Sequence, residues 1–398
     1  MLQRILATKL RDLARSFPVV SLSGPRQSGK TTLARMVFPD YHYVSLEDPD
    51  TREFVQADPR GFLARYTGPV ILDEIQRTPK LLSYIQTRVD ETNREGEFIL
   101  TGSQQIHLLG EIGQTLAGRT AILYLLPFSL TELFVRGPHD PWAFDTTPEE
   151  TEPPPLSLDT ILFQGLFPRI YDKRLSAHDW LGSYYQTYVE RDVRDILNIG
   201  DLSTFQRFVR LCAGRSGQLL NLSSLAADSG ITHPTARRWL SVLEASGLIF
   251  FLPPHYKNFS KRVIKSPKLY FVDTGLLCYL LRIRKPEELT TYPLRCQIFE
   301  TFVVSEIYKS FSHVGEEPPL YFWRDRTGHE VDLLLDLGTR LVPVEIKSGQ
   351  TIASDFFNGL NYWCSLKGNP NKTGVVVYGG EDSYQRKNFF VRAWFQCS

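Results

Sequence analysis

Cysteine is scarce in this chain. The five present (Cys212, Cys278, Cys296, Cys364 and Cys397) are odd in number, widely scattered, and include no Cys-x-x-Cys pair. That pattern argues against a disulfide framework and against a cysteine zinc site, and it fits a reducing cytoplasm. Net charge is equally slight: 45 Lys and Arg against 44 Asp and Glu leave +1, so no global field points to nucleic acid or membrane. A nucleic-acid contact would have to rest on a local patch. No apolar run approaches the roughly 20 residues that span a bilayer. The start, Met1-Leu2-Gln3-Arg4-Ile5, lacks the apolar core and cleavage site of a signal peptide, so a cytoplasmic protein without a membrane partner is expected. What remains is an ordinary globular composition, with 42% hydrophobic and 22% charged residues, over a length suited to several compact units.

The strongest positive signal lies near the amino terminus. Pro18 to Ser23 reads as a short buried strand, and Thr31-Thr32-Leu33-Ala34-Arg35-Met36 opens a helix. Between them runs Gly24-Pro25-Arg26-Gln27-Ser28-Gly29-Lys30-Thr31, a Gly-x4-Gly-Lys-Thr loop in the strand–loop–helix setting that makes it a phosphate site. The glycines let backbone N–H groups turn inward, and the helix amino terminus adds its positive end. Lys30 is expected on the β- and γ-phosphates of ATP and the Thr31 hydroxyl on Mg²⁺, with Thr32 beside it. A second strand, Val70-Ile71-Leu72, closes on Asp73-Glu74 about 40 residues later, the arrangement of a metal-shell carboxylate followed by a water-orienting one. A third, Phe98-Ile99-Leu100-Thr101, runs into Ser103-Gln104. Those side chains either hydrogen-bond the γ-phosphate or cap the next helix.

Taken in order, Gly-Pro-Arg-Gln-x-Gly-Lys-Thr-Thr-Leu, Ile71-Leu72-Asp73-Glu74-Ile75-Gln76, Ile99-Leu100-Thr101-Gly102-Ser103 and Leu116-Ala117-Gly118-Arg119 resemble the AAA+ P-loop ATPases that carry a carboxyl-terminal DUF4143 domain. Tyr188-Val189-Glu190-Arg191-Asp192-Val193 and Lys268 to Leu276 resemble later landmarks of that family, so the likeness covers nearly the whole chain. It implies that Ser103 takes a sensor position. It also makes Arg119 either an arginine finger for a neighbouring subunit, which requires a homo-oligomer, or one half of a salt bridge.

Further along, residues 137–155 are rich in Pro, Asp, Glu and Thr and read as a linker. The helical periods from Leu158 to Leu197 suit a small helical lid. A helix from Leu222, a turn at Ser229-Gly230 and a second helix from His233 to Ala245, followed by an apolar strand, match a winged helix-turn-helix. On the second helix Thr232, His233, Thr235, Arg237, Arg238 and Trp239, and past the wing Lys257, Lys261, Arg262 and Lys265, form a patch that could meet DNA. Packing or dimerisation would account for the same fold.

In the last third, a periodic helix from Tyr292 to Phe311 carries Glu300 and Glu306. Strands are predicted over 320–324, 330–336 and 340–347, with a buried valine strand at 373–378. Glu345 and Lys347, two apart, share a strand face, and Asp332 lies across the turn at Gly338-Thr339. The set resembles the PD-(D/E)xK nuclease fold, which implies Mg²⁺ on Asp332 and Glu345, Lys347 at the reacting water, and Glu300 or Glu306 in support. The other reading pairs these charges with one another in a module for binding.

The expected architecture is therefore α/β: an ATPase core over 1–135, linker and lid over 136–205, winged helix over 206–258 and nuclease-like domain over 259–398. The expected function is Mg²⁺-dependent ATP hydrolysis coupled to a DNA-directed module. The alternatives are an ATP-dependent switch with little turnover, or a metal-dependent nuclease regulated by ATP.

Overall fold

The computed structural model describes residues 3–102, 112, 115–136, 140–146, 151–193, 201–255, 265–325 and 327–397, without the side chains of residues 190–193. Ser103, Gln104, Lys257, Lys261 and Arg262 lie outside the described residues. Close backbone contacts divide the chain into two compact units. The first comprises 1–128 with the short returns 245–247 and 312–316, and the second comprises 129–244, 248–311 and 317–398.

In the first unit, α1 (Leu6–Ala14), β1 (Val19–Ser23), α2 (Lys30–Val37), β2 (His42–Ser45), α3 (Pro49–Ala57) and α4 (Pro59–Ala64) come first. They are followed by β3 (Val70–Asp73), α5 (Leu81–Thr92), β4 (Phe98–Thr101) and β5 (Thr120–Tyr124). The five strands form one parallel sheet in the order β2-β3-β4-β1-β5. Both sheet faces are covered, which the period-two alternation of apolar side chains makes possible. Val19, Val70, Leu72, Phe98 and Leu100 enter one core with Phe62 and Ile85. Val20, Leu22, Ile71 and Ile99 enter the other with Leu6, Leu10 and Leu33. Because every strand runs the same way, the loops after β1, β3 and β4 leave one edge of the sheet, with β4 between the glycine-loop strand and the Asp73 strand. That edge is where function gathers in such sheets.

The second unit begins with α6 (Leu130–Leu133), α7 (Leu158–Gln164), α8 (Pro168–Asp172) and α9 (Ala177–Tyr184). The family-like stretch Val272-Asp273-Thr274-Gly275 has a local structural reason. Asp273 accepts from Leu276 N at 2.9 Å, capping the helix it opens, and from Leu166 N at 2.7 Å across the unit. Next come α10 (Leu202–Ala213), β6 (Gln218–Leu219), α11 (Leu222–Ser229), α12 (His233–Ala245), β7 (Ile249–Leu252) and β8 (Lys268–Phe271). Gly230, left-handed at φ 73°, ends α11 and makes the turn into α12. β6, β8 and β7 form a small antiparallel sheet.

The remaining elements of this unit are α13 (Thr274–Leu280), α14 (Arg295–His313), β9 (Leu320–Arg324), β10 (Glu330–Asp336), β11 (Leu341–Lys347) and α15 (Asn358–Ser365). β12 (Gly374–Tyr378), β13 (Tyr384–Arg386) and β14 (Phe389–Ala393) complete a mixed six-stranded sheet in the order β13-β14-β12-β11-β10-β9. The last two strands extend the sheet beyond the sequence reading: the exposed polar residues of β13 hide the alternation that marks a strand, whereas β14 is largely buried. Among the described residues, no helix is long and apolar enough to cross a membrane.

Candidate functional site: a phosphate loop and its carboxylates

The glycine loop takes the shape its sequence requires. Gly24 has φ 147°, and a Cβ there would run into the Leu125 carbonyl oxygen. Gly29 has φ 96° immediately before α2. Neither conformation suits an L side chain. Pro25 and Ser28 are buried and Arg26 half-buried, while Gln27 and Thr32 are exposed. The Ser28 hydroxyl is buried without a partner among the described residues, a polar group left over inside the loop. Lys30 folds back and donates to Gly24 O at 3.0 Å and Pro25 O at 2.8 Å. Burial lowers its pKa to about 8, against the pull of the Glu74 and Asp73 charges.

Asp73, at the end of β3, is the hub. Its Oδ1 accepts from Thr31 Oγ1 at 2.8 Å and from Thr101 Oγ1, and its Oδ2 accepts from Tyr43 OH at 2.8 Å. The donors come from α2, β4 and β2, so three neighbouring elements aim one carboxylate at the loop. Tyr43 and Thr101 were missed by sequence reasoning. A Thr at a strand end is a weak signal, and Tyr43 becomes meaningful only once β2 lies beside β3. Glu74 follows in a left-handed conformation (φ 58°), unusual for a residue with a Cβ, and Gln76 Nε2 donates to its carboxylate. Burial raises its pKa, with the Lys30 charge opposing.

Hard oxygen donors at Thr31 and Asp73, a glycine cradle and an unpaired Ser28 hydroxyl fit a nucleotide with Mg²⁺. Arg119 stands elsewhere. It immediately precedes β5, its carbonyl accepts from Val19 N at 3.2 Å, and its guanidinium pairs with Asp90 at 2.5 and 3.0 Å. It therefore sits at the amino-terminal edge of the sheet, across the strands from the phosphate loop of its own chain.

The second charged constellation is in the second unit. The β10–β11 register sets Leu333 opposite Val344, and one step on it brings Asp332 beside Glu345. Lys347 Nζ lies 2.5 Å from Glu345 Oε2 and 3.3 Å from Asp332 Oδ2, and Ile346 N donates to Asp332 at 2.8 Å. Burial, then the nearby Asp332 charge, pushes Glu345 up to about 8. Asp332 is held low by Lys347 and Lys268 in spite of its own burial. Glu345 is packed against Gly359 of α15, where a Cβ would strike its carboxylate. Glu300 joins the cluster, accepting from Tyr270 OH at 2.6 Å and pairing with Lys268 at 3.0 Å. Glu306 does not: it is buried on Lys309 Nζ (2.9 Å) and accepts from Leu130 N (2.7 Å). These carboxylates already hold lysines where a cation would sit. Among the described residues no group of three or more His, Cys, Asp or Glu side chains could hold a metal ion. The arrangement does not fit the Mg²⁺ that the nuclease likeness implied.

Thr232, just before α12, and His233, Arg237 and Arg238 on it are exposed, and Thr235 is half-buried. Trp239 corrects the expectation. It is only 4% exposed and packs edge-on against Phe205 and Phe208 of α10, with ring centroids 5.4 and 5.1 Å away. It faces the core because it shares the helix face of Ala236, Leu240 and Leu243.

Three family models match the chain: an AAA domain over residues 16–134, DUF8612, a domain of unknown function, over 156–287, and DUF4143, likewise of unknown function, over 295–395. The uncharacterized proteins Mb2031c of Mycobacterium bovis and Rv2008c of Mycobacterium tuberculosis are each 30% identical over 88% of this chain and 74% of their own length. Among solved structures, the Walker-type ATPase PABY2304 of Pyrococcus abyssi is similar at 14% identity over 69% of this chain and 94% of its own, with a TM-score of 0.43. RuvB of Thermotoga maritima is similar at 20% identity over 62% and 87%, with a TM-score of 0.32.

Proposed function

The chain belongs to the family that joins an AAA-type P-loop ATPase domain to a carboxyl-terminal DUF4143 domain, and from that premise we propose that it hydrolyses ATP with Mg²⁺ to drive or gate a DNA-directed module. The observation that carries the first part is Asp73. It meets Thr31 at the mouth of the glycine loop, with Glu74 next to it in a conformation that costs free energy to hold. Backbone N–H groups of the loop 24–31, Pro25 excepted, bind the phosphates. Lys30 exchanges its two carbonyl partners for phosphate oxygens, and Thr31 and Asp73 hold the metal. Mg²⁺, when bound, neutralises charge developing on the transferred phosphoryl group. Glu74 orients the attacking water and accepts its proton. The finger role of Arg119 applies only between subunits, after release from Asp90.

The second part rests on the order α10, β6, α11, α12, β7, β8, which is that of a winged helix, with the exposed basic residues of α12 placed to meet phosphates. Residues 158–193 supply the helical lid. The run α14, β9, β10, β11, α15, β12 supports a nuclease-like domain used for binding.

The test is phosphate release with Mg²⁺-ATP, with and without DNA. Lys30→Ala should abolish release, Glu74→Gln should retain ATP without turnover, and DNA should stimulate the parent. Hydrolysis by Lys30→Ala at the parental rate would remove the ATPase reading, and rates indifferent to DNA would remove the coupling.

A further inference from the structure

Lys268 enters the carboxylate cluster from outside the six-stranded sheet. It opens β8, a strand of the small antiparallel sheet, and its side chain is 4% exposed. Its ammonium lies 3.0 Å from Glu300 Oε1 of α14 and 2.5 Å from Glu330 Oε1 of β10, and the charge of Asp332 is near enough to act on it. Tyr270, two residues along the same strand, donates to the same Glu300 oxygen. The other Glu330 oxygen is held by Arg324 at 3.1 Å. Lys347 spans Asp332 and Glu345 on the remaining side. Four acidic side chains thus face three basic ones, and the most buried of the basic ones is at the centre.

A buried lysine among carboxylates is costly unless those carboxylates compensate it, and buried carboxylates in turn require a cation. A divalent ion would satisfy Glu300, Glu330 and Asp332 with oxygens at roughly 2.0–2.6 Å. The Lys268 ammonium occupies that position, and a dication beside it would meet direct repulsion. We propose that Lys268 takes the place of a divalent cation in this cluster, so that the DUF4143 end binds neither Mg²⁺ nor Mn²⁺ there and performs no metal-dependent cleavage. The strand that supplies this cation belongs to the sheet of the helix-turn-helix segment, which therefore completes the cluster it would otherwise leave charged.

The experiment counts Mn²⁺ bound to the nucleotide-free full chain by electron paramagnetic resonance at neutral pH, in four proteins: the parent, Asp332→Asn, Lys268→Met, and Lys268→Met with Glu300→Gln. Any Mn²⁺ at the phosphate loop is common to all four and cancels in the differences. The parent and Asp332→Asn should bind the same number. Lys268→Met should gain one ion per chain, and the added Glu300→Gln should lose it. A lower count in Asp332→Asn than in the parent would show that the cluster is already a metal site and overturn the proposal. So would a folded Lys268→Met that gains no ion. Should Lys268→Met fail to fold, Mn²⁺ added during refolding decides the matter: rescue supports the replacement, and no rescue overturns it.

Discussion

The guanidinium of Arg4 donates to the carbonyl oxygen of Ser28 at 2.8 Å, so a residue just ahead of α1 pins a peptide in the middle of the phosphate loop. In a trans peptide the C=O and the following N–H point in opposite directions. Holding Ser28 O therefore aims Gly29 N–H away from Arg4. A second bond, to Leu126 O at 2.7 Å, ties the same guanidinium to the chain beyond β5, next to the Leu125 carbonyl that abuts Gly24.

Two carbonyls at an angle need the planar fork of arginine, which lysine cannot reproduce. Arg4→Ala should weaken ADP and ATP binding about tenfold, the ~1–3 kcal/mol scale of one lost buried partner, and Arg4→Lys should recover only part of it. Millimolar guanidinium should restore affinity to Arg4→Ala. Unchanged nucleotide affinity in a folded Arg4→Ala, read by titration of a fluorescent ADP analogue, would refute the role.

Lys30 gives a pH dependence. Burial lowers its pKa from 10.5 to about 8 in the nucleotide-free protein, so it loses its proton as pH rises through 8. The folded value lies below the unfolded one, so its burial destabilises the protein below pH 8. That penalty disappears between 8 and 10.5. Phosphate binding has the opposite sense because it needs the ammonium. ATP affinity should fall about tenfold per unit above pH 8, and Lys30→Arg, weaker overall, should show no such fall. A flat profile for the parent from pH 7 to 9.5 would contradict the buried ammonium.

Glu345 gives another, read on stability. Its carboxyl is raised from 4.5 to about 8, first by burial and then by Asp332. Between those values the folded state binds the proton more tightly than the unfolded chain. Stability should therefore decline as pH rises from 4.5 to 8. Glu345→Gln, which mimics the protonated acid, should remove that part of the decline in urea-midpoint measurements. Parallel slopes for the two proteins would place the proton elsewhere.

The helix α12 separates packing from recognition. Trp239→Ala should cost about 3–5 kcal/mol of stability, the usual loss for a large buried aromatic. Arg237→Ala, on the exposed face, should leave stability within ~0.5 kcal/mol while weakening binding of the full chain to duplex DNA and reducing its salt dependence. Equal DNA binding by parent and Arg237→Ala would argue for a packing or dimerisation role instead.

Local pattern was sufficient for the phosphate loop. Gly24, Gly29, Lys30 and Thr31 act through backbone freedom and spacing, which are properties of consecutive residues, and the strand endings at Asp73 and Thr101 were legible from apolar runs. The two helices on either side of Gly230 and the strands carrying Asp332 and Glu345 were legible for the same reason. What the linear text could not carry was who pairs with whom across strands. Tyr43 and Thr101 reach Asp73 only because the strand order sets β2 and β4 on either side of β3. Trp239 is core because α12 turns that face to α10. Lys268 is the clearest case. As a letter in Lys268-Leu269-Tyr270-Phe271 it opens a strand, but tertiary structure buries its ammonium among Glu300, Glu330 and Asp332, residues 32 to 64 positions away. Charge compensation acts through space, and only the fold brings Glu300 and Glu330 to 3.0 and 2.5 Å from the Lys268 ammonium.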